Sequence, residues 1–376
     1  MALKGLKVLE LAGLAPAPVC GMILADFGAK VTRVDRLGAG HLNYDVTARG
    51  KQSISIDLKK KEGVQVLRKL CLNHDVLIEP FRPGVMEKLG LGPDNLTQEN
   101  PKLIYARLTG FGQTGPYKHM AGHDINYLAL SGVLSSLGRK GENPYAPINL
   151  LADFAGGSFV CAMGIMAALL ERSVSGKGQV IDSCMVEGAA YVSSWLFASR
   201  DMFVWGKPRG ENFLDTGHHF YETYKTKDDK YMSVGALEPH FYSVLLDKLS
   251  LTDEELPQFD DPDEMKKKLG RIFSTKTQKE WSDIFDGSDS CVTPVLEKED
   301  TADHPQNKFR GSFLPGGMPR PAPLLSRTPA IPATLECSVV AGADTRSVLL
   351  ENGYTGSEID TLLLQGVVET PDKSKL

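Results

Sequence analysis

The sequence lacks paired cysteines. Its six, Cys20, Cys71, Cys161, Cys184, Cys291 and Cys337, are scattered, with no C-x-x-C spacing and no histidine clustered beside them. Neither a structural zinc site nor a disulfide framework is expected, and the thiols read as free in a reducing compartment. A basic excess is missing as well: the formal net charge of −5 gives no field to gather nucleic acid. Long hydrophobic runs are scarce. The longest, around residues 159–170, is too short and too rich in Ala and Gly to predict a membrane span, so no membrane insertion is expected. No secretory leader is read before the opening strand MALKGLKVLEL. The first strand runs into Ala12-Gly13-Leu14-Ala15-Pro16-Ala17-Pro18 rather than G-x-G-x-x-G, so the dinucleotide fingerprint fails where it should stand and a dehydrogenase is a poor reading.

What is present is α/β patterning. LKVLEL, then a helix over VCGMILADFGA, then KVTRVDR make a βαβ opening that predicts a parallel sheet. The second strand ends Asp35-Arg36, and an Arg at that place suits a ribose phosphate, which coenzyme A carries. A short strand, GKQSISIDL, leads to the basic turn Lys59-Lys60-Lys61, either a phosphate site or a solvated patch. An amphipathic helix, EGVQVLRKLCLNH, and the strands DVLIEP and PKLIYARLTG follow, with Arg82 just past the first of these at the sheet edge where ligands bind.

The stretch from Gly122 to Gly157 carries the candidate chemistry. His123 and Asp153 each stand at a Gly-flanked start of an apolar run with helical spacing. Both are expected near helix N-termini, where backbone N–H groups and the dipole favour negative charge. An imidazole and a carboxylate so placed could face one substrate carbon from two sides. The bland alternatives are an N-cap for Asp153 and a structural turn histidine for His123.

FRPGVMEKLGL, RLTGFGQTGPY and GKGQVIDSCMVEG together resemble the class III CoA-transferase superfamily. Within it, GHDINYLALSG, NLLADFAGG and VGALEPHFY resemble the α-methylacyl-CoA racemase branch, with the similarity densest over residues 1–300 and thin between about 297 and 323. The resemblance implies an interlocked homodimer with a large α/β, Rossmann-like domain formed by both chain ends and a smaller inserted α+β domain. In this numbering the large CoA-binding domain takes 1–190, a linker 191–220, the small domain 221–319, and a return segment with the rest of the large domain 320–376.

The same resemblance implies an epimerase for 2-methyl-branched acyl-CoA thioesters, serving β-oxidation of branched fatty acids and of bile-acid intermediates. His123 and Asp153 would be its two bases, with Glu238 of the partner subunit orienting the imidazole. Arg36, Ile56, Asp57, Leu58, Lys59, Arg82, Gly122, His123, Asp124, Ile125, Asn126 and Tyr127 correspond to coenzyme A contacts. Main-chain N–H groups at the helix starting with Asp124 would hold the enolate oxygen. No metal or redox cofactor is implied, coenzyme A being part of the substrate. The competing functions are a CoA-transferase with Asp153 as nucleophile and a non-catalytic acyl-CoA-binding protein.

Met163, Met166, Met185 and Met202 are candidates for an adaptable acyl surface, with ordinary core packing as the alternative. The terminal Ser374-Lys375-Leu376 matches the peroxisomal import signal, so an import receptor is an expected partner and the peroxisome the expected compartment; a mitochondrial share stays open.

Overall fold

The computed structural model describes residues 1–39 and 45–371, so Ser374-Lys375-Leu376 lies outside the described residues. The chain divides into two compact units. The first takes Met1–Ser131, Pro147–Val192 and Pro321–Leu376, and the second Gly132–Ala146 and Ser193–Arg320.

The first unit holds strands β1 (Lys7–Leu11), β2 (Lys30–Asp35), β3 (Lys51–Ile56), β4 (Val76–Glu79), β5 (Ile104–Thr109) and β6 (Val180–Cys184). Its helices are α1 (Pro16–Asp26), α2 (Lys61–Leu72), α3 (Val85–Lys88), α4 (Pro93–Glu99), α5 (Asp124–Ser131), α6 (Val160–Ser175) and α7 (Met185–Val192). The six strands are parallel and lie in the order β3-β2-β1-β4-β5-β6. This is the doubly wound order, whose reversal between β1 and β4 opens a crevice at the strands' carboxyl ends. Every residue of β4 and β5 is buried, as strands covered on both faces require. Charges inside the sheet are paired: Lys51 with Glu10 at 2.7 Å, Arg107 with Glu79 at 2.6 Å, and Arg33 with Asp35 at 2.6 Å.

The last part of the chain returns to this sheet. Strand β10 (Val368–Glu369) pairs antiparallel with β3, while α13 (Thr345–Glu351) and α14 (Gly356–Leu364) place Val348, Leu349 and Ile359 in one core with Leu9, Ile54, Leu67 and Tyr105. Both chain ends therefore build the large unit. Helix α1 starts at Pro16, three residues before the sequence reading, because Pro16 and Pro18 sit in the first turn, where a missing N–H costs nothing.

A larger correction concerns the apolar run. A π-helical segment, Leu150–Phe159, passes directly into α6 and makes one helix from Leu150 to Ser175. By length and composition this helix is long and apolar enough to cross a membrane, where the sequence reading had the run too short. In the structure it packs among α1, α5 and α7 within the first unit.

The second unit is an α+β body. Strands β7 (Tyr221–Lys225), β8 (Tyr231–Gly235) and β9 (Val292–Val295) form an antiparallel sheet in that order. Around it stand α8 (Ser194–Ala198), α9 (Pro239–Leu249), α10 (Pro262–Phe273), α11 (Gln278–Phe285) and α12 (Pro305–Arg310). Asp261 caps α10, and a Thr277–Glu280 capping box starts α11. Phe220, Phe273, Trp281 and Phe285 fill its core. The segment read as a linker, 191–220, mostly belongs to this unit. So does 132–146, which the sequence reading gave to the large domain; Arg139 holds it to β7 through both oxygens of Glu222.

Candidate functional site

The crevice at the β1/β4 reversal is a cavity of about 430 Å³, lined by Gly13, Leu14 and Pro16 after β1, Phe81 and Arg82 after β4, and Gly110 and Phe111 after β5. His123 and Asp153 line this same cavity, together with Gly122, Tyr127, Lys118, Met120 and Met185.

His123 immediately precedes α5. Its carbonyl accepts from the N–H groups of Asn126 (2.8 Å) and Tyr127 (3.2 Å), and its own N–H donates to Asn126 Oδ1 at 3.1 Å. The N–H groups of Asp124 and Ile125 are left without an intrahelical acceptor, as the first turn of a helix dictates. Tyr127 is fixed beneath by its hydroxyl donating to the Gly122 carbonyl at 2.5 Å and by the Phe111 ring edge-on at 5.1 Å.

Asp153 stands one turn inside the π-helical segment rather than before a helix, and Asn149 occupies the cap position. Single π-turns are uncommon and favour functional positions. Here the segment is held by three features. Ile148, just ahead of it, is a β-branched residue at φ 58°, a strained conformation. Ser158 Oγ donates to the Pro16 carbonyl at 2.7 Å. Gly156 and Gly188 let the segment cross α7 with the two backbones in contact: a Cβ on Gly188 would lie 1.8 Å from the Gly156 carbonyl oxygen. The Asp153 carboxyl is raised above the ordinary carboxylate range by burial, with the Asp124 charge adding to the rise, while Asn149 and His123 oppose it.

Asp124 is the residue that sequence reasoning mistook. Expected only as a coenzyme A contact, it is 3 % exposed, and its Oδ2 accepts from the N–H groups of both Ala152 and Asp153 at 2.8 Å. The remaining expected contacts divide by position. Arg82, Gly122, His123 and Tyr127 line the cavity. Arg36 and Lys59 are exposed just past the carboxyl ends of β2 and β3, on the sheet edge that carries Arg82, and Asp57 and Leu58 are part-buried beside Lys59. Ile125 and Asn126 are exposed on α5, whereas Ile56 is 1 % exposed and its side chain belongs to the core. Asp35 is occupied internally, by Arg33 on one oxygen and the Ser53 hydroxyl on the other. Glu238, in the second unit, is exposed at the N-cap position of α9. Of the four methionines only Met185 lines the cavity; Met163 and Met166 are exposed on α6, and Met202 belongs to the second unit. Lys118, Met120 and Phe111 were missed, and their signal was position: they follow the carboxyl end of β5. Among the described residues no group of three or more His, Cys, Asp or Glu is placed to hold a metal ion.

The model of CoA-transferase family III matches residues 3–337. The chain belongs to CoA-transferase family III. Relatives in this family include the α-methylacyl-CoA racemase of Mus musculus, 57% identical over 100% of this chain and 99% of that one. The α-methylacyl-CoA racemase of Homo sapiens is 55% identical over 98% of each. A crystal structure of a CAIB/BAIF family protein from Brucella suis superposes with a TM-score of 0.77 at 25% identity, covering 93% of this chain and 99% of that one. The family III assignment accords with the architecture above: a doubly wound unit closed by the chain's return, and a separate α+β unit.

Proposed function

We propose that this protein is an acyl-CoA racemase that interconverts the R and S epimers of 2-methyl-branched acyl-CoA thioesters. The observation that carries the reading is the presence of one imidazole, His123, and one carboxyl with a raised proton affinity, Asp153, on the wall of a single cavity. Full-length identity of 57% and 55% to proteins named α-methylacyl-CoA racemase supports it.

The chemistry follows from thioester acidity. Sulfur delocalises poorly into the carbonyl, so the α-hydrogen is more acidic than an ester's but still too weak an acid for water. One base takes the proton, the electron pair moves onto the carbonyl oxygen, and the opposite group, protonated, returns a proton to the other face. A positioned general acid or base contributes typically ~10²–10⁴-fold. Asp153 suits the donor role because burial keeps its proton on more readily than in water. The N–H groups that start α5 suit the enolate oxygen, since they carry the positive end of the helix dipole.

Arg36, Lys59 and Arg82, strung along one sheet edge, supply cations for the coenzyme A phosphates. The reading extends to a homodimer in which Glu238 of the partner subunit orients the imidazole. An exposed apolar row, Phe159, Met163, Met166 and Leu170, offers a second copy surface to bury. It also extends to import into peroxisomes through Ser374-Lys375-Leu376 and to branched fatty-acid and bile-acid intermediates as substrates.

The test is solvent deuterium incorporation at the α-carbon of separate R and S 2-methylacyl-CoA epimers. Wild type is expected to label and invert both without losing the thioester, while His123→Ala and Asp153→Ala abolish inversion and keep most coenzyme A affinity. The second reading, favoured by the family's name, is CoA transfer through Asp153. Trapping of a covalent Asp153 adduct by hydroxylamine or borohydride during turnover would establish it and remove the racemase assignment.

A further inference from the structure

We propose that the Asp124 side chain is a positioning residue: it clasps the start of the helix that carries Asp153 and so fixes where that carboxyl stands relative to His123. The inference rests on the racemase reading above and goes beyond it, because that reading uses only the Asp124 main chain.

Three observations carry it. Asp124 is the first residue of α5 and directly follows His123, so its backbone moves with the imidazole. Its Oδ2 accepts from the N–H groups of Ala152 and Asp153, each at 2.8 Å, which are orphan donors in the first turn of the π-helical segment. A carboxylate on two N–H groups is a charge-assisted cap, stronger than a neutral one. The carboxylate is 3 % exposed, and Oδ1 has no hydrogen-bond partner among the described residues. An acid needed only as a cap would be cheaper as Ser, Thr or Asn, which bury no charge.

The buried charge has a second effect. The groups acting on Asp153 are His123, Asp124 and Asn149; around the neighbouring Tyr127 stand Arg82 and Cys184 as well. Among the charges acting on Asp153, Asp124 raises its proton affinity and His123 lowers it. Removing the Asp124 charge while keeping its shape should release the Asp153 proton at lower pH. Removing the whole side chain should free the helix start.

Asp124→Asn and Asp124→Ala separate these effects, because an amide oxygen can still accept from two N–H groups. Asp124→Ala is expected to slow inversion by about 100-fold or more, the scale of an ångström of misplacement. It should keep coenzyme A affinity within a few-fold and retain deuterium exchange on the epimer whose α-hydrogen faces His123. Amide hydrogen exchange at Ala152 and Asp153 should accelerate in this variant. Asp124→Asn should retain inversion within about 10-fold, with the Asp153 limb of the kcat profile moved to lower pH. The proposal is overturned if Asp124→Ala inverts at the wild-type rate, if it loses exchange on both faces alike, or if Asp124→Asn leaves the pH limb in place. Should Asp124→Ala not fold, the Asp124→Asn profile decides alone. A wild-type protein that neither exchanges nor inverts would instead refute the racemase reading, and the amide exchange at Ala152 and Asp153 would still test the clasp.

Discussion

Replacing Gly188 by Ala should damage catalysis and stability through one contact. The added Cβ would meet the Gly156 carbonyl oxygen at 1.8 Å and its carbonyl carbon at 2.6 Å, whereas real Cβ atoms essentially never approach closer than 3.0 Å. The π-helical segment and α7 must therefore part locally by about 1.2 Å, and both obstructing atoms are backbone, which cannot swing aside. Overpacking of this kind costs about 1–3 kcal/mol, and a rigid obstacle points to the upper end. Gly156 lies one helical turn from Asp153, so the same displacement carries the carboxyl with it, and an ångström there is worth about 100-fold in rate. Urea unfolding would read the first effect, and the inversion rate at saturating 2-methylacyl-CoA the second. Gly164→Ala on α6 is the control: its Cβ would stand 3.5 Å from Ile181 Cγ2, and it is expected to be neutral or to stabilise by up to about 1 kcal/mol. A Gly188→Ala protein with unfolding free energy within about 0.5 kcal/mol of wild type and an unchanged rate would refute the reasoning.

Two further outcomes follow from buried titratable groups. Glu10 is pushed up to about 7 by burial against the opposing pull of Lys51, so the folded chain holds a proton that the unfolded chain releases, and this carboxyl's contribution to stability falls as pH rises from 4.5 towards 7. Lys51→Met strands that carboxylate, and unfolding in urea should show a loss of about 3–5 kcal/mol at pH 8.5 and a smaller one at pH 6, where Glu10 takes up its proton; equal losses at both would contradict this. His74 is pushed down to about 4 by burial, with Nδ1 2.7 Å from the Leu70 carbonyl oxygen. As pH falls from 6.5 to 4 the unfolded chain gains a proton that the folded chain refuses, so stability drains by up to about 1.4 kcal/mol per pH unit. His74→Gln should flatten the dependence of the urea midpoint on pH in that window by this share, and an unaltered slope would count against it.

The sheet was legible because β1, β4 and β5 are continuous apolar runs ended by glycine or proline, which only a strand buried on both faces explains. The return of the chain through β10 came from family resemblance; nothing in Val368-Glu369 announces a sheet edge. His123 and Asp153 stood out through their flanking glycines, yet the π-helical turn around Asp153 did not, since its cause is tertiary: Asp124, Ser158 and the Gly156–Gly188 crossing hold it, and no local periodicity encodes them. Asp124 was hidden by its neighbour. An acid at a helix start is ordinary, and only the structure shows that it serves the start of a different helix. The placement of 132–146 in the second unit was equally unreadable, resting on Arg139 and Glu222, which are far apart in sequence.

The pairing of β10 with β3 has a consequence for synthesis. During translation β3 leaves the ribosome early, with one flank satisfied by β2 and the other bare until almost the whole chain has been made. An uncovered strand flank invites pairing with other nascent chains. The second unit, finished before the C-terminal segment emerges, can consolidate first, while the larger body waits for its closing strand. Holdase chaperones that shield nascent chains would then matter most for the N-terminal half of this protein, and a stop codon upstream of Val368 would leave that flank permanently open.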